Sequence, residues 1–533
     1  MRTVVRFLGG AVFMLVAGFA SRAMAGDDCG CDHTIEPGTG QVNGTELGFM
    51  PGDVVCVMAG DYEYIRFREV KGTSADPIVV KNCGGVVNVH NTDRAYAIDF
   101  QGSSHDFHLT GTGDPNEPYG FRVSAPATDP YPGIGLWFLD KSTDYEVDHI
   151  EVFDTGFAGV MAKTDPLCDG SADQDVFIQR NVHLHHLWVH DTGGEGFYVG
   201  STQSNGHTIT CDGQSEVHQP HFLEGIEIDH VLVEDTGWDG MQVGMARMGC
   251  SVHDNVIRRV GGEGVQYQQQ GLQIGTYSSC DIRRNTLSDG PVMGVFVLGA
   301  YDTTVADNVI ARFGEDAVYA NLNMTPGPVS YRIVHNTLLG FGGAAVRVFG
   351  DQVEGAVGWN NFVVGADNAI SAGNDVGWDA SGNVFVPNID AALFSDPTND
   401  DFRIVGDSPA RGAGIDHTAD GFDVDHDGFL RAVPPAAGAY EHADDSPTSG
   451  AGGGGDGGGD LNGGGPAAGG SNGSGGNPST GGSGGSAVDS DGGGGDDGCS
   501  CHTTSGGGGN HAAWLAGLGL VAAARARRGR RAG

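Results

Sequence analysis

Glu195, Asp239 and Glu263 occupy one place in a repeating pattern, each directly ahead of a short apolar run. Asp154, Asp191 and Asp235 recur four residues ahead of that same place, inside Asp-Thr-Gly or Asp-Thr-Gly-like bends. If the repeats stack, each set becomes a column of carboxylates about 5 Å apart. Unpaired carboxylates at that spacing repel by about 3 kcal/mol at an effective dielectric near 20. Such a column raises a pKa, holds a cation or splays into solvent. The first two outcomes are chemistry, and the third is the ordinary fate of turn residues. Alternation aims Tyr198, Gln242 and Gln266 outward on the runs that follow, with Lys163 and Gln268 two residues further along. Trp238, beside Asp239, can stack on a sugar ring or simply pack. The catalytic set read from the sequence is therefore Glu195, Asp239, Glu263 and Lys163. The substrate-binding set is Tyr198, Trp238, Gln242, Gln266 and Gln268. A cation in the column, with calcium as the expected ion, falls to Asp191 and Asp235. His183, His185, His186 and His190, with His207, His218 and His221, fit no standard zinc spacing and read as solvated turn residues.

The elements that position these residues are short strands. Val231-Leu232-Val233, an Asp-Thr-Gly bend and Gly240-Met241-Gln242-Val243 form one unit, and Asn255-Val256-Ile257 with Gly264-Val265-Gln266-Tyr267 form the next. Period-2 alternation in runs of three to five residues, cut by Gly bends, means half-buried strands. The place ahead of the second strand is filled in turn by Ala158, Glu195, Asp239, Glu263, Met293, Asp316, Ala344 and Asn368, with later gaps of 23 to 30 residues. Eight residues ahead of it the later units carry Asn255, Asn285, Asn308 and Asn336, and Asn361 and Asn383 continue the set. Stacked amides donate and accept along a ladder and satisfy the turn backbone. The L-x-x-L-x-L frame of leucine-rich repeats is absent. The sequence thus predicts an all-β chain: a single right-handed parallel β-helix of about ten coils, then a disordered Gly-rich linker and a short hydrophobic C-terminal segment. Insertions at Thr164–Asp175 and Ser201–His221 leave from one corner of consecutive coils and should build the binding side.

The opening stretch carries Gly52, Asp53, Val55, Gly60, Tyr62, Gly72, Thr73, Pro77 and Ile78. It resembles the first coils of chondroitinase B-like and alginate-lyase-like proteins of the pectate-lyase-like β-helix class. The resemblance implies a polysaccharide as partner, lyase chemistry with a Lys base following an acidic residue, and calcium in several members. On this chain Glu195 matches the acidic position, and the Lys position falls at Gly200. The preceding coil offers Lys163.

The sequence divides into a signal peptide over 1–25, a cap with the first coils over 26–104, the β-helix body over 105–390, a tail over 391–442, the linker over 443–510 and a sorting segment over 511–533. Arg2 and Arg6, an apolar run and Ala23-Met24-Ala25 mark the signal peptide. Cys499-Ser-Cys501, a short apolar run and an Arg cluster resemble a myxobacterial-type C-terminal sorting tag. In the tail, Asp423, Asp425 and Asp427 match half of a calcium loop, but its twelfth position is Pro434. Ten cysteines without a CxxC pair fit an oxidising compartment. Cys168 and Cys211 lie in the two insertions, and Cys250 and Cys280 share one column, so each pair should be bonded. Cys56 and Cys83 lie in adjacent early coils, while Cys29 and Cys31 stand too close together for partners to be assigned. A net charge of −40 repels nucleic acid and anionic membranes.

The expected protein is secreted, retained at the outer cell surface, monomeric and bound to the envelope by its C-terminus. It binds polysaccharide as a lyase or glycoside hydrolase. Adjacent rungs give the ~5 Å carboxylate spacing of a retaining glycosidase, and alternate rungs lie near 10 Å, at the edge of the inverting range. The alternative is a non-catalytic solenoid for adhesion or matrix contact.

Overall fold

A computed structural model describes residues 29–322, 329–350, 356–365, 370–372 and 378–447. The signal peptide, the linker from residue 448 on, the sorting segment and the Asn368 position lie outside the described residues. Each repeat contributes three short strands, and the strands of successive coils pair in parallel. One face is a 12-stranded sheet running from Gln41–Asn43 to Ile370–Ala372, and the other two faces belong to a 23-stranded network. Twelve strands exceed the expected ten or so coils because Gln41–Asn43, Ile65–Arg68 and Tyr96–Gln101 in the cap region are full members of the ladder.

The inward columns form the core. Val152, Val189, Val233, Ile257, Leu287, Ile310, Leu338 and Val363 stand in register, one per coil, and all are buried. Burying one such side chain contributes about 1.5–3 kcal/mol, and stacking identical types keeps every layer filled. Between the two faces of the larger network the chain turns through a single left-handed residue. His149, His186, His230, Asp254, Arg284, Asp307, His335 and Asn360 hold φ between 50° and 59° there. The next position carries Ile150, Leu187 and Val231 in the early coils, then the Asn column. Asn255 Nδ2 donates to Asn285 Oδ1 at 2.9 Å, and the same bond continues at 3.0 Å to Asn308, Asn336, Asn361 and Asn383. Each Oδ1 also accepts the backbone N–H of the preceding Asn, so the buried corner is fully paired.

Among the described residues four disulfides form: Cys29–Cys83, Cys31–Cys56, Cys168–Cys211 and Cys250–Cys280. Cys56 and Cys83 are thus each bonded to the N-terminal segment and not to each other. Cys250 and Cys280 are register partners inside the core.

The tail folds back on the outside of the last coils. Phe394, Phe402, Ile404 and Tyr440 pack on Val309, Leu339, Phe362 and Val364. Arg431, with a fully buried side chain, donates to Asp307 Oδ1 at 2.7 Å.

Candidate active site on the outward face

Successive strands of the 12-stranded sheet set Trp137, Met161, Tyr198, Gln242, Gln273 and Phe296 in one outward column. Their strand neighbours, such as Phe197, Val199, Met241 and Val243, belong to the core, as period-2 alternation requires. The column is outward but covered: Tyr198 is 8% exposed and Gln242 1%. Part of the cover is the pair of insertions. They form one lobe, joined by Cys168–Cys211 and the Asp173–Pro220 bridge and carrying the hairpin His207–Cys211 with Gln214–His218.

Lys163 leaves the end of strand Val160–Ala162 and reaches back over this face. Its Nζ lies 2.8 Å from Asp165 Oδ1 and 4.8 Å from the centre of the Tyr198 ring. Burial pushes the Asp165 carboxyl up, but the Lys163 ammonium outweighs it and holds the group below the usual carboxylate range. Two histidines of the lobe close the same corner. The Thr164 N–H donates to His221 Nε2 at 3.0 Å, so the imidazole proton sits on Nδ1, which faces the Phe222 carbonyl at 3.1 Å. His207 Nε2 pairs with Ser201 Oγ at 2.9 Å. Burial, reinforced by Lys163, lowers both imidazoles to about 4, so they are neutral.

Glu195 and Asp239 occupy consecutive rungs: the Gly159 N–H donates to the Glu195 carbonyl, and the Gly196 N–H to the Asp239 carbonyl. Asp239 is fully buried and saturated, with Gln242 Nε2 donating to Oδ2 and the Gln270 N–H to Oδ1, both at 2.7 Å. Burial, with the Glu195 charge adding to it, raises its pKa well above the usual range. Glu195 is 2% exposed, its Oε2 has no hydrogen-bond partner, and burial pushes it up to about 7 against the pull of Lys163. The expected carboxylate column is therefore a pair of buried acids, both shifted above the usual carboxylate range. On the adjoining bend Trp238 and Phe157, both half-buried, meet edge to face at 5.5 Å.

Glu263 does not join them. The bend after it is longer by a loop, and the strand of this coil is Leu272–Ile274, not 264–267. The Gly240 N–H donates to the Gln270 carbonyl, so Gln270 takes the place expected for Glu263, which is exposed and whose N–H meets the Gly237 carbonyl. Gln266 is likewise exposed on the loop, and Gln273 holds its outward position. Gln268 reaches the site by another route, its Oε1 accepting from Gln242 Nε2 at 2.6 Å. Gly200 has φ 69°, and a Cβ there would collide with the Gly244 carbonyl, so no lysine fits the position that the lyase resemblance assigns to the base.

The carboxylates expected to hold calcium do not offer an open oxygen shell. Asp235 is bidentate to Arg259 at 2.8 Å, and the exposed Asp191 accepts from His190 Nδ1 at 2.7 Å. Further along, Asp289 pairs with Arg312 in the same column of left-handed corner residues, so charges alternate where like charges were expected. In the tail, Asp425 Oδ1 accepts the N–H groups of Asp427 and Phe429, and Oδ2 that of Glu441. Asp427 is bidentate to Arg403. The Asp423 carbonyl serves the Arg431 N–H. Neither group fits calcium.

The repeat pattern assigns no catalytic or substrate-binding place to Asp165, His207, His221 or Phe157. The one available signal was Asp165, two residues beyond Lys163. The histidines come from an insertion with no repeat to place them.

The sequence matches no known family and no curated protein. Among solved structures the fold is similar to pectate lyase Pel9A, at 12% identity over 78% of this chain and 98% of that one, with a TM-score of 0.44. It is also similar to an alginate lyase from Paenibacillus sp. strain FPU-7 (15% identity, 67% and 96% covered, TM-score 0.34). A third is a PL6-family polysaccharide lyase from Pseudopedobacter saltans (13% identity, 70% and 97% covered, TM-score 0.36). This similarity concerns the fold alone.

Proposed function

We propose that this β-helix protein is exported, held at the outer cell surface by its C-terminus, and hydrolyses a polysaccharide at the corner that carries Glu195. The observation behind this reading is Glu195 itself. A carboxyl pushed to about 7, with one oxygen unpaired, is still substantially protonated near neutral pH and can give its proton to a glycosidic oxygen. Asp165, kept ionised by Lys163, is the complementary carboxylate, as base or nucleophile. Trp238 and Phe157 supply apolar ring faces of the kind that stack on sugars. Asp239 and Gln242 position the rung beneath. Elimination from a uronate needs cations to neutralise the substrate carboxylate, and the lysine available for that is already paired with Asp165.

A second reading has its own support. Asp239 at 0% and Glu195 at 2% exposure are as buried as packing residues, which suits a non-catalytic solenoid for adhesion or matrix contact.

Incubation with a panel of neutral and uronate polysaccharides separates the readings. New reducing ends without ultraviolet-absorbing product, lost in Glu195→Gln, support hydrolysis. An unsaturated, absorbing product means elimination. Binding without any cleavage on every polysaccharide bound means the non-catalytic solenoid. Surface retention has a separate test: truncation after Gly498 should release the β-helix into the medium, and unchanged cell association would refute it.

A further inference from the structure

On a different face, strands His105–Thr110, Thr143–Asp148 and Ile178–His185 pair in parallel. Their register sets His108, Glu146 and His183 in one column and Thr110, Asp148 and His185 in the next. Imidazoles and carboxylates therefore interleave across three coils. Four short contacts link His108 and His185 to Glu146 and Asp148. His108 Nε2 lies 3.2 Å from Asp148 Oδ2 and 3.8 Å from Glu146 Oε1. His185 Nε2 lies 2.9 Å from Glu146 Oε1 and 3.7 Å from Asp148 Oδ2.

These are four of the six edges of a donor tetrahedron, and they bracket the ~3.3 Å separation of donors around a zinc ion with bonds of about 2.0–2.1 Å; the ligand atoms of His108, Glu146 and Asp148 all lie within 4.8 Å of one another. The charges also balance. Two imidazoles face two carboxylates, and one divalent ion bound by neutral imidazoles and both carboxylates would leave the cluster neutral. Asp148 is 5% exposed, and its Oδ1 makes no hydrogen bond, with His149 Nδ1 3.5 Å away. Outside the cluster, His185 Nδ1 lies 2.7 Å from His186 Nδ1. With a proton on His185 Nδ1, that contact is the outer hydrogen bond that orients a ligating histidine.

We propose that His108, Glu146, Asp148 and His185 form a closed N₂O₂ site for a tetrahedral first-row divalent cation, zinc being the type, which staples three successive coils. The site is separate from the Glu195 corner and independent of the proposed hydrolysis. With all four positions filled by protein, its role is structural.

The test uses the full mature chain stripped of metal. Titration with Zn²⁺ should show one ion bound at this site and a raised unfolding temperature, while Ca²⁺ and Mg²⁺ do neither. Co²⁺ should give the intense visible absorption of a tetrahedral centre. Glu146→Gln, at a half-exposed position where folding is retained, and His185→Gln should each weaken Zn²⁺ binding at least roughly tenfold. His218→Gln, in the distant hairpin, should not change it. Absence of Zn²⁺ binding at saturation, binding unaffected by both Glu146→Gln and His185→Gln, or a weak octahedral Co²⁺ spectrum would overturn the assignment.

Discussion

Gln242 and Asp239 are joined through one amide group: Gln242 Nε2 gives one hydrogen to Asp239 Oδ2 at 2.7 Å and the other to Gln268 Oε1 at 2.6 Å. A single outward side chain thus links the buried acid of one rung to the loop that covers the next. Replacing it by leucine leaves Asp239 Oδ2 buried and unpaired, at a cost of about 1–3 kcal/mol. Gln268→Leu removes only the half-exposed partner and should cost clearly less. Urea unfolding of the two variants gives the comparison, and equal losses would show that the amide does not hold the rung.

Glu195 makes stability depend on pH in a direction opposite to that of a salt-bridged carboxylate. Its folded pKa near 7 lies above the ordinary value of 4.5, so the folded state favours the protonated form. This contribution is complete below about pH 4.5 and is lost as pH rises through 7. The loss at pH 8 is on the order of 3 kcal/mol. Glu195→Gln, which cannot ionise, should therefore unfold at a higher temperature than the parent at pH 8 and at nearly the same temperature at pH 4. A parent–variant difference that does not change with pH would contradict the shifted acid.

Columns built from one repeated residue type are legible in the sequence, and columns built by alternation are not. The Asn set stands out because the same side chain recurs at the same offset in six coils, and Cys250 and Cys280 are placed by counting back from it. The Asp235–Arg259–Asp289–Arg312 ladder alternates in sign over coils of unequal length, so only its Asp-Thr-Gly members look like a set. Glu263 fails for a related reason. A loop inserted between it and its strand keeps the local Gly-x-Gly look while moving the stacked position to Gln270. His207 and His221 lie in an insertion, where no period operates, and their approach to Lys163 is set by folding of the lobe alone.

The Asn ladder should show its cooperativity on mutation. Asn308 makes bonds to the coils on both sides: its Oδ1 accepts from Asn285 N–H and Nδ2, and its Nδ2 donates to the Ile282 carbonyl and Asn336 Oδ1. Asn308→Ala leaves several of these groups buried and unpaired, and should cost on the order of 3 kcal/mol or more. Asn383→Ala, at the end of the ladder and partly exposed, should cost about a third of that or less. Thermal unfolding of both variants measures the difference. Similar small losses would mean that water replaces the amides.

Arg431 and Asp307 hold the tail to the solenoid across 124 residues of sequence. The guanidinium also donates to the carbonyls of Gly438 and Ala439, so one buried cation organises both the turn of the tail and its docking. Arg431→Met leaves Asp307 buried with the more distant Arg283 at 3.8 Å, and breaking a buried pair from one side costs about 3–5 kcal/mol. The apolar contacts of Phe394, Phe402 and Tyr440 with the last coils are then no longer locked in place. The expected result is rapid proteolysis within the tail at 391–442 while the coils up to the Cys250–Cys280 disulfide stay resistant. Adding Asp307→Asn to Arg431→Met removes the stranded charge and should restore part of the resistance, which a merely disruptive substitution would not allow. If the double variant is cleaved as fast as the single one, the packing of the tail, and not this ion pair, governs its docking.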